Sequence, residues 1–363
     1  MLRSTPAIDG ITARVFRIPT DAPEADGTIA WDHTTMVLVE VSAGGERGLG
    51  YTYGAPAAAD IVKSVLADKI RGQSVMDVPA AWIAMVGAVR NIGWRGVAAC
   101  AISAVDTALW DLKAKLLGVP LFMLLGAERR EVRIYGSGGF TSYSLDRLQK
   151  QLAGWVEKEG CRWVKMKIGS EPDEDYERVQ AAQRAIGPAT LFVDANGAYD
   201  RKQALSFAEK FAGVAWFEEP VSSDDLEGLR LIRDRAPAAM EIAAGEYGYD
   251  PFYFRRMAEA GAVDVLQADA TRCGGVTGFL KAAAVADSFS LPLSAHTAPA
   301  LHLHVCCAAP RLRHLEWFHD HVRIERSVFD GAPVPRDGVI APNADRPGLG
   351  LEFKQADAER LAA

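Results

Sequence analysis

Trp216-Phe217-Glu218-Glu219-Pro220 is the stretch on which the reading of this chain turns. An apolar run over 214–217 ends in two adjacent carboxylates and a proline. Short apolar runs are the signature of buried parallel strands, and Pro220 stops this one because proline cannot donate to a sheet ladder. Carboxylates at the C-terminal tip of a strand in a β/α barrel point to where chemistry is done. The flanking segments repeat the pattern: Leu191-Phe192-Val193 ends in Asp194, and 240–245 ends in Glu246. Each lies about one strand, one helix and two loops from Glu218. Three successive strands would then aim one carboxylate each at a common point, which suits a hard divalent cation.

Outward from this stretch, a strand–turn–helix rhythm runs from about 132 to 317. Strands are expected at 132–136, 163–168, 190–194, 214–218, 240–244, 263–267, 291–295 and 313–317. Helices are expected at 145–159, 174–186, 201–212, 226–234, 252–260 and 278–288. Strands alternating with helices in this way imply a closed parallel barrel rather than an open sheet. A barrel takes about 250 residues, which leaves roughly 100 for a second unit. That unit precedes the barrel, with strands at 11–18, 34–41 and 48–53, a helical segment at 60–70, and a long helix at 97–117 stopped by Gly118 and Pro120. Asp106 and Asp111 on the long helix read as surface or salt-bridge groups. The polar stretch 19–32, with its Gly and Pro, reads as a loop of lid length. The expected division is an α+β unit at 1–125, the barrel at 126–320, and an irregular Gly/Pro-rich tail at 321–363 that folds back on the first unit.

Composition narrows the classes. A formal net charge of −7 without a long basic run argues against nucleic acid and anionic membrane as partners. No apolar stretch is long enough to span a bilayer, and 1–10 lacks the apolar core of a signal peptide. The cysteines at 100, 161, 273, 306 and 307 are odd in number and show neither zinc nor disulfide spacing. The expectation is a cytoplasmic protein with reduced thiols.

The remaining strand tips carry more chemistry. Lys165 and Lys167 are two apart, so both face the lumen. One lumen lysine is explained by a paired carboxylate. Two favour a base whose pKa is lowered by its neighbour and by a nearby cation. The sixth barrel strand ends near Asp269, with Gly274-Gly275 opening the next helix, and the seventh ends in Ser294-Ala295-His296. An aspartate beside a histidine orients and charges the imidazole. Glu316 lies in Leu315-Glu316-Trp317, an apolar setting that would keep the acid protonated as a hydrogen-bond donor. His302 and His304 read as structural, and His319-Asp320-His321 as surface or interface. A zinc hydrolase built on His314, His319 and His321 is disfavoured, because the strand tips present carboxylates.

Taken together, the motifs resemble the enolase superfamily, mandelate racemase subgroup. The matching stretches are Val164-Lys165-Met166-Lys167-Ile168-Gly169, Val193-Asp194-Ala195-Asn196, Phe217-Glu218-Glu219-Pro220, Gly245-Glu246, Asp269 with Gly274-Gly275-Val276-Thr277-Gly278, Ser294-Ala295-His296 and Leu315-Glu316. The likeness continues through 103–113 and covers nearly the whole chain. It implies an α/β fold: a modified TIM barrel, (β/α)7β, with an α+β N-terminal capping domain. It implies one Mg²⁺ per site, with Mn²⁺ as a substitute, held by Asp194, Glu218 and Glu246, with Glu219 behind them. Lys167 corresponds to one acid/base catalyst, and His296 supported by Asp269 to the other, on the opposite face of the substrate. Lys165 would contact the substrate carboxylate or the metal-bound oxygen, and Glu316 would hydrogen-bond the carboxylate oxygen. Asn196 and Ser137 are candidate substrate contacts. From the cap, Trp31, Asp32 and His33, and Tyr51, Tyr53 and Gly54, would lie over the substrate, the aromatic ones serving equally well as interface packing.

The activity this resemblance implies is abstraction of the proton α to a carboxylate through an enediolate. By analogy with members that carry Lys-x-Lys and a His–Asp pair, the expected enzyme is a lyase: a dehydratase converting an aldonate or aldarate to a 2-keto-3-deoxy acid. A racemase, epimerase or cycloisomerase of a related hydroxy acid is the alternative, and a catalytically silent barrel that binds metal or acid is a third. The expected partner is a small carboxylic acid, with no nucleic acid and no membrane, and the family habit implies a homo-oligomer.

Overall fold

The computed structural model describes residues 5–211 and 213–362. Strands β1 (Gly10–Ala25), β2 (Ala30–Ala43) and β3 (Glu46–Tyr53) form an antiparallel sheet in that order. Pairing of β1 with β2 continues past a register break between Pro19 and Glu24, to Glu24↔Trp31 and Ala25↔Ala30. The stretch 19–32 is therefore mostly a hairpin arm, not a loop. Its proline and polar residues mark an irregularity in the ladder, and the backbone bonds resume beyond it whatever the side chains are.

Helix Val97–Leu117 is capped by Gly118 in the left-handed conformation that ends many helices, and it has the limits expected from sequence. It lies close on β3 because Gly48 and Gly50 carry no side chain. A Cβ on Gly50 would sit 2.1 Å from the Ala104 carbonyl oxygen. Asp106 and Asp111 are 0% exposed, which excludes the surface half of their reading and leaves the salt-bridge half standing for Asp111. Asp111 accepts the N–H groups of Leu49 and Leu349 and pairs with Lys115. Asp106 accepts the N–H and hydroxyl of Thr277, which belongs to the barrel. The helix is covered on more than one side, so its polar groups are used as ties.

The barrel strands are β4 (Val132–Gly138), β5 (Trp163–Lys167), β6 (Thr190–Asp194), β7 (Val214–Glu218), β8 (Glu241–Ala244), β9 (Val265–Ala268), β10 (Leu293–Ala295) and β11 (Leu312–Phe318). They pair in sequence order, and β11 pairs in parallel with β4 to close the barrel. A helix follows each strand from β4 to β10. The architecture is a modified TIM barrel with a capping domain. Ala212, which the sequence places at the end of the 201–212 helix, lies outside the described residues. The lower lumen is filled by Tyr135, Phe192, Trp216, Ala243 and Val265. His314 is buried with them, its ring edge-on to Tyr135 and its Nδ1 2.9 Å from Ser294 Oγ. Chemistry is left to the upper end. There Lys167 is in register with Asp194, and Asp194 with Glu218, so the three side chains start from one level.

The tail is more ordered than its composition suggests. Helix His319–Val328 follows β11 directly, and its polar residues Asp320, His321 and Glu325 are buried. Beyond it β12 (Phe329–Asp330) pairs with β14 (Glu352–Phe353), and β13 (Val339–Ile340) pairs with β4. Phe353 packs on Phe16 of β1 with Arg14 over its ring. Among the described residues no helix is long and apolar enough to cross a membrane.

Candidate active site

Asp194 ends β6, Glu218 ends β7, and Glu246 follows β8 after a kink at Gly245. Gly245 has φ 139, and a Cβ there would lie 2.1 Å from the Gln267 carbonyl oxygen, so only glycine makes this turn. One ligand oxygen from each carboxylate lies within 4.8 Å of the others, and all three residues are buried. Lys165 Nζ lies 2.6 Å from Glu218, 2.9 Å from Glu316 and 3.3 Å from Asp194. Lys167 Nζ lies 2.5 Å from Asp194. From across the barrel, His296 places Nδ1 2.8 Å from Asp269 Oδ2 and Nε2 3.3 Å from Glu246. The other Asp269 oxygen is taken by the N–H and hydroxyl of Thr271, which holds that carboxylate in place.

Burial opposes charge throughout this cluster, yet most members stay charged. It would push Lys165 down, but Glu218 and Glu316 hold its pKa well above the usual lysine value. Lys167 is likewise raised against its burial, chiefly by Asp194. By themselves the carboxylates outweigh the neighbouring ammonium, whereas the lowering expected from the Lys-x-Lys pattern counts on a cation held by the same carboxylates. His296 is pushed up to about 10 against its burial, by Glu246, by Glu316 and by its bond to Asp269. Glu316 is held below its ordinary value against burial, by Lys165, His296 and Lys167. It accepts from the Ser137 hydroxyl at 2.5 Å and from the Thr297 N–H at 3.1 Å. Glu316 is thus a charged acceptor and not the neutral donor expected. Leu315 and Trp317 flank it in sequence but point to the other side of the strand, while the lumen side is lined with cations.

Burial, with Asp194 beside it, pushes Glu218 up to about 8. Glu246 is drawn far down against its burial, by His296 and Arg272. Rigid all-oxygen donors on strand tips fit a hard ion such as Mg²⁺ and leave positions open for substrate oxygens. Nearby, the buried Glu219 Oε1 has no hydrogen-bond partner, so the donor set has oxygen to spare.

Residues 11–126 match the N-terminal domain model of the mandelate racemase / muconate lactonizing enzyme family, and residues 147–358 match its enolase C-terminal domain-like partner. The chain belongs to this branch of the enolase superfamily. A mandelate racemase/muconate lactonizing enzyme-like protein from Rubrobacter xylanophilus is 53% identical, with a TM-score of 0.96 over 98% of this chain and 99% of that one. D-galactarolactone cycloisomerase from Agrobacterium fabrum is 30% identical over 96% of this chain and 97% of its own length. L-talarate/galactarate dehydratase from Salmonella typhimurium is 33% identical over 88% of this chain and 81% of its own. Its structure liganded with Mg and L-lyxarohydroxamate superposes with a TM-score of 0.89 at 28% identity, covering 99% of this chain and 93% of that one.

In this member of the family the sequence-chosen substrate contacts divide. Ser137 joins the cluster through Glu316. Asn196, at φ 47, gives its N–H to Asp194 Oδ1, while its own side-chain Oδ1 is buried without a partner. Tyr51 and Tyr53 face the barrel's last helix: Tyr51 donates to Glu325 at 2.7 Å, and the Tyr53 ring stacks on His321 at 3.6 Å. They pack between cap and barrel, the second of the two roles the sequence allowed them; alternation along β3 turns both onto that helix. Asp320 accepts from the Thr34 hydroxyl and His321 Nδ1 accepts the Ala298 N–H, so 319–321 is an interface rather than surface. Trp31 donates to Glu24 at 2.8 Å and lies edge-on to Phe140. His33 is partly exposed between Arg17 and Asp32.

Two charged residues escaped the sequence reading, one at the site and one in the hairpin. Arg272 lies 3.3 Å from Glu246 and 3.6 Å from Asp269. A cation three positions after Asp269 was the available signal. Glu24 is buried in the hairpin, its carboxyl pushed up to about 8 by burial and by Asp320. Only the folded hairpin removes it from water.

Proposed function

We propose that this family member is a Mg²⁺-dependent enzyme that removes the proton α to a carboxylate and dehydrates an acid sugar to a 2-keto-3-deoxy acid. The observation that carries the reading is the convergence of two proton carriers on one carboxylate triad. Lys167 reaches Asp194 from β5, and His296 reaches Glu246 from β10. An α-proton is weakly acidic because its removal leaves two negative charges on the carboxylate oxygens, so catalysis depends on positive charge fixed where they develop. Mg²⁺ held by Asp194, Glu218 and Glu246 would supply Lewis acidity to those oxygens and would share the carboxylate charge that now keeps Lys167 and His296 loaded.

The chain's own residues do the rest. Lys165, pinned among Glu218, Glu316 and Asp194, is a fixed cation beside the reacting carboxylate. Asp269 holds the Nδ1 side of the imidazole, so Nε2 is the atom presented to substrate. Lys167 and His296 approach from different sides, so one takes the α-proton and the other delivers a proton to the departing β-hydroxyl. Both are buried, which keeps bulk water from screening the charge that develops between them.

The likeness to a dehydratase supports this outcome. The equal likeness to a cycloisomerase supports the second reading, in which the proton carriers close or open a ring or invert a centre. Incubation with Mg²⁺ in D₂O and a panel of aldonates, aldarates and simple α-hydroxy acids separates them. We expect α-proton exchange by NMR together with a 2-keto product. Lys167→Ala and His296→Asn should each lower turnover by about 10²-fold or more. Exchange with a new isomer and no keto product would replace dehydration by the isomerase reading. No exchange with any of these acids would refute both.

A further inference from the structure

Where the hairpin arm meets the barrel's last helix, a second set of metal-ligating groups comes together. Asp21 and Glu24 come from β1, and His319 opens helix His319–Val328. One ligand atom from each lies within 4.8 Å of the others. His319 Nε2 is 3.1 Å from Asp21 Oδ2. Neighbouring ligands around tetrahedral zinc, with bonds of about 2.1 Å, stand about 3.4 Å apart, so these two atoms are already close to ligand spacing.

His319 with Asp21 alone would be an ordinary surface pair. Glu24 makes the group different. It is fully buried, its Oε2 accepts from Trp31 Nε1 at 2.8 Å, and its Oε1 has no hydrogen-bond partner. Buried carboxylate oxygens are nearly always paired. The nearby guanidiniums do not supply the partner. Arg323 is engaged by Asp320 and the Pro19 carbonyl oxygen, and Arg147 by Asp21 Oδ1 at 3.2 Å and the Tyr143 hydroxyl. Asp320 adds negative charge from the helix side, and with burial it pushes the Glu24 carboxyl up. A positive centre small enough to sit among three side chains answers what Oε1 lacks.

The backbone supports the same point of convergence. Asp21 and Glu24 are three positions apart, and in a regular strand they would face opposite sides. The register break between Pro19 and Glu24 removes that alternation, so both reach one place. The donor set indicates the ion. One imidazole nitrogen with two carboxylate oxygens suits zinc, whereas Mg²⁺ prefers oxygen alone. His319 and Asp21 are partly exposed, which leaves a way in from solvent.

We propose that Asp21, Glu24 and His319 form a zinc site that clasps the hairpin arm to the barrel. Its role is structural. It does not revive a hydrolytic centre, since His314 lies in the lower lumen and His321 is stacked on Tyr53. The site shares no residue with the carboxylate triad and does not depend on the reaction proposed there.

Zn²⁺ itself is the probe. The full chain carrying Asp194→Asn, which disables the triad, is dialysed against Zn²⁺ in excess Mg²⁺, and bound zinc is measured. About one Zn²⁺ per chain should be retained. Adding His319→Ala or Glu24→Gln should each weaken binding at least about tenfold, since losing even an outer partner costs a metal site that much. Hydrogen exchange reads the clasp. At ten times its dissociation constant, Zn²⁺ should slow exchange of the 19–32 amides about tenfold, and not at all when His319 is replaced. Circular dichroism confirms that each variant is folded, and His319→Ala, at the partly exposed end, decides the matter if buried Glu24→Gln does not fold. Failure to retain zinc would overturn the proposal, as would equal retention by His319→Ala. Zinc retained without slower hairpin exchange would overturn the clasp.

Discussion

His304 and His314 are imidazoles that folding keeps neutral. Burial drives their pKa values down, to about 4 and about 3. At His304 the cause is visible: Nδ1 accepts the Phe122 N–H at 3.3 Å, and Nε2 faces the Leu349 carbonyl at 3.0 Å. A proton on Nδ1 would confront the Phe122 N–H. The unfolded chain binds that proton below about 6.5 and the folded chain does not. Stability from this site is therefore complete above pH 6.5 and is lost as pH falls toward 4, by about 1.4 kcal/mol per pH unit. His304→Gln offers one acceptor and one donor without titrating. Its denaturant midpoint should fall less between pH 6.5 and 4 than that of the wild type, and parallel curves would refute the assignment. At this scale sequence was informative about residue type and poor about state. The strand-tip positions of Lys165, Lys167 and Glu316 follow from spacing, but their charges depend on partners contributed by four other strands.

The β1–β2 hairpin is the element whose role depends most on its landing place. Gly27 at its tip is seated on the loops after β5 and β6. A Cβ there would lie 2.5 Å from the Ala195 carbonyl oxygen and 2.7 Å from that of Ile168. These are backbone atoms and cannot swing aside, so Gly27→Ala should lift the arm from the barrel mouth. We expect kcat/KM to fall about tenfold while the melting temperature moves by about 2 °C or less. Unchanged kinetics would show that the seating is not needed. The strands on either side of 19–32 were legible from their apolar content, whereas their continuation through that stretch was not. Ladder bonds between main chains leave little trace in side-chain pattern, and proline with acidic residues imitates a loop.

Across the whole molecule, the cap is tied to the barrel by buried polar contacts at Asp106 to Thr277 and Tyr51 to Glu325, and to the tail by Asp111 to Leu349. The carboxylate triad lies within the same closed barrel and costs it like-charge repulsion. A cation bound there should stabilise the entire fold. Mg²⁺ at 100 times its dissociation constant contributes about 2.7 kcal/mol, which should raise the melting temperature by at least about 2 °C over protein in EDTA. Asp194→Asn should abolish most of that gain. A melting temperature indifferent to Mg²⁺ in the wild type would refute the metal site.

The sequence by itself determined the barrel, the order of its strands and the residues at their tips. These are local quantities: apolar runs of strand length, stops at proline and glycine, and carboxylates or lysines at a fixed place in each repeat. Only the tertiary structure decided that Glu316 is charged, that Arg272 bridges Glu246 and Asp269, that Tyr51 and Tyr53 are packing, and that Asp21, Glu24 and His319 gather where the hairpin meets the barrel's last helix. Each of these depends on groups distant in the chain meeting away from water. There burial and partner charges set what a side chain does, and neither can be read from its neighbours in sequence.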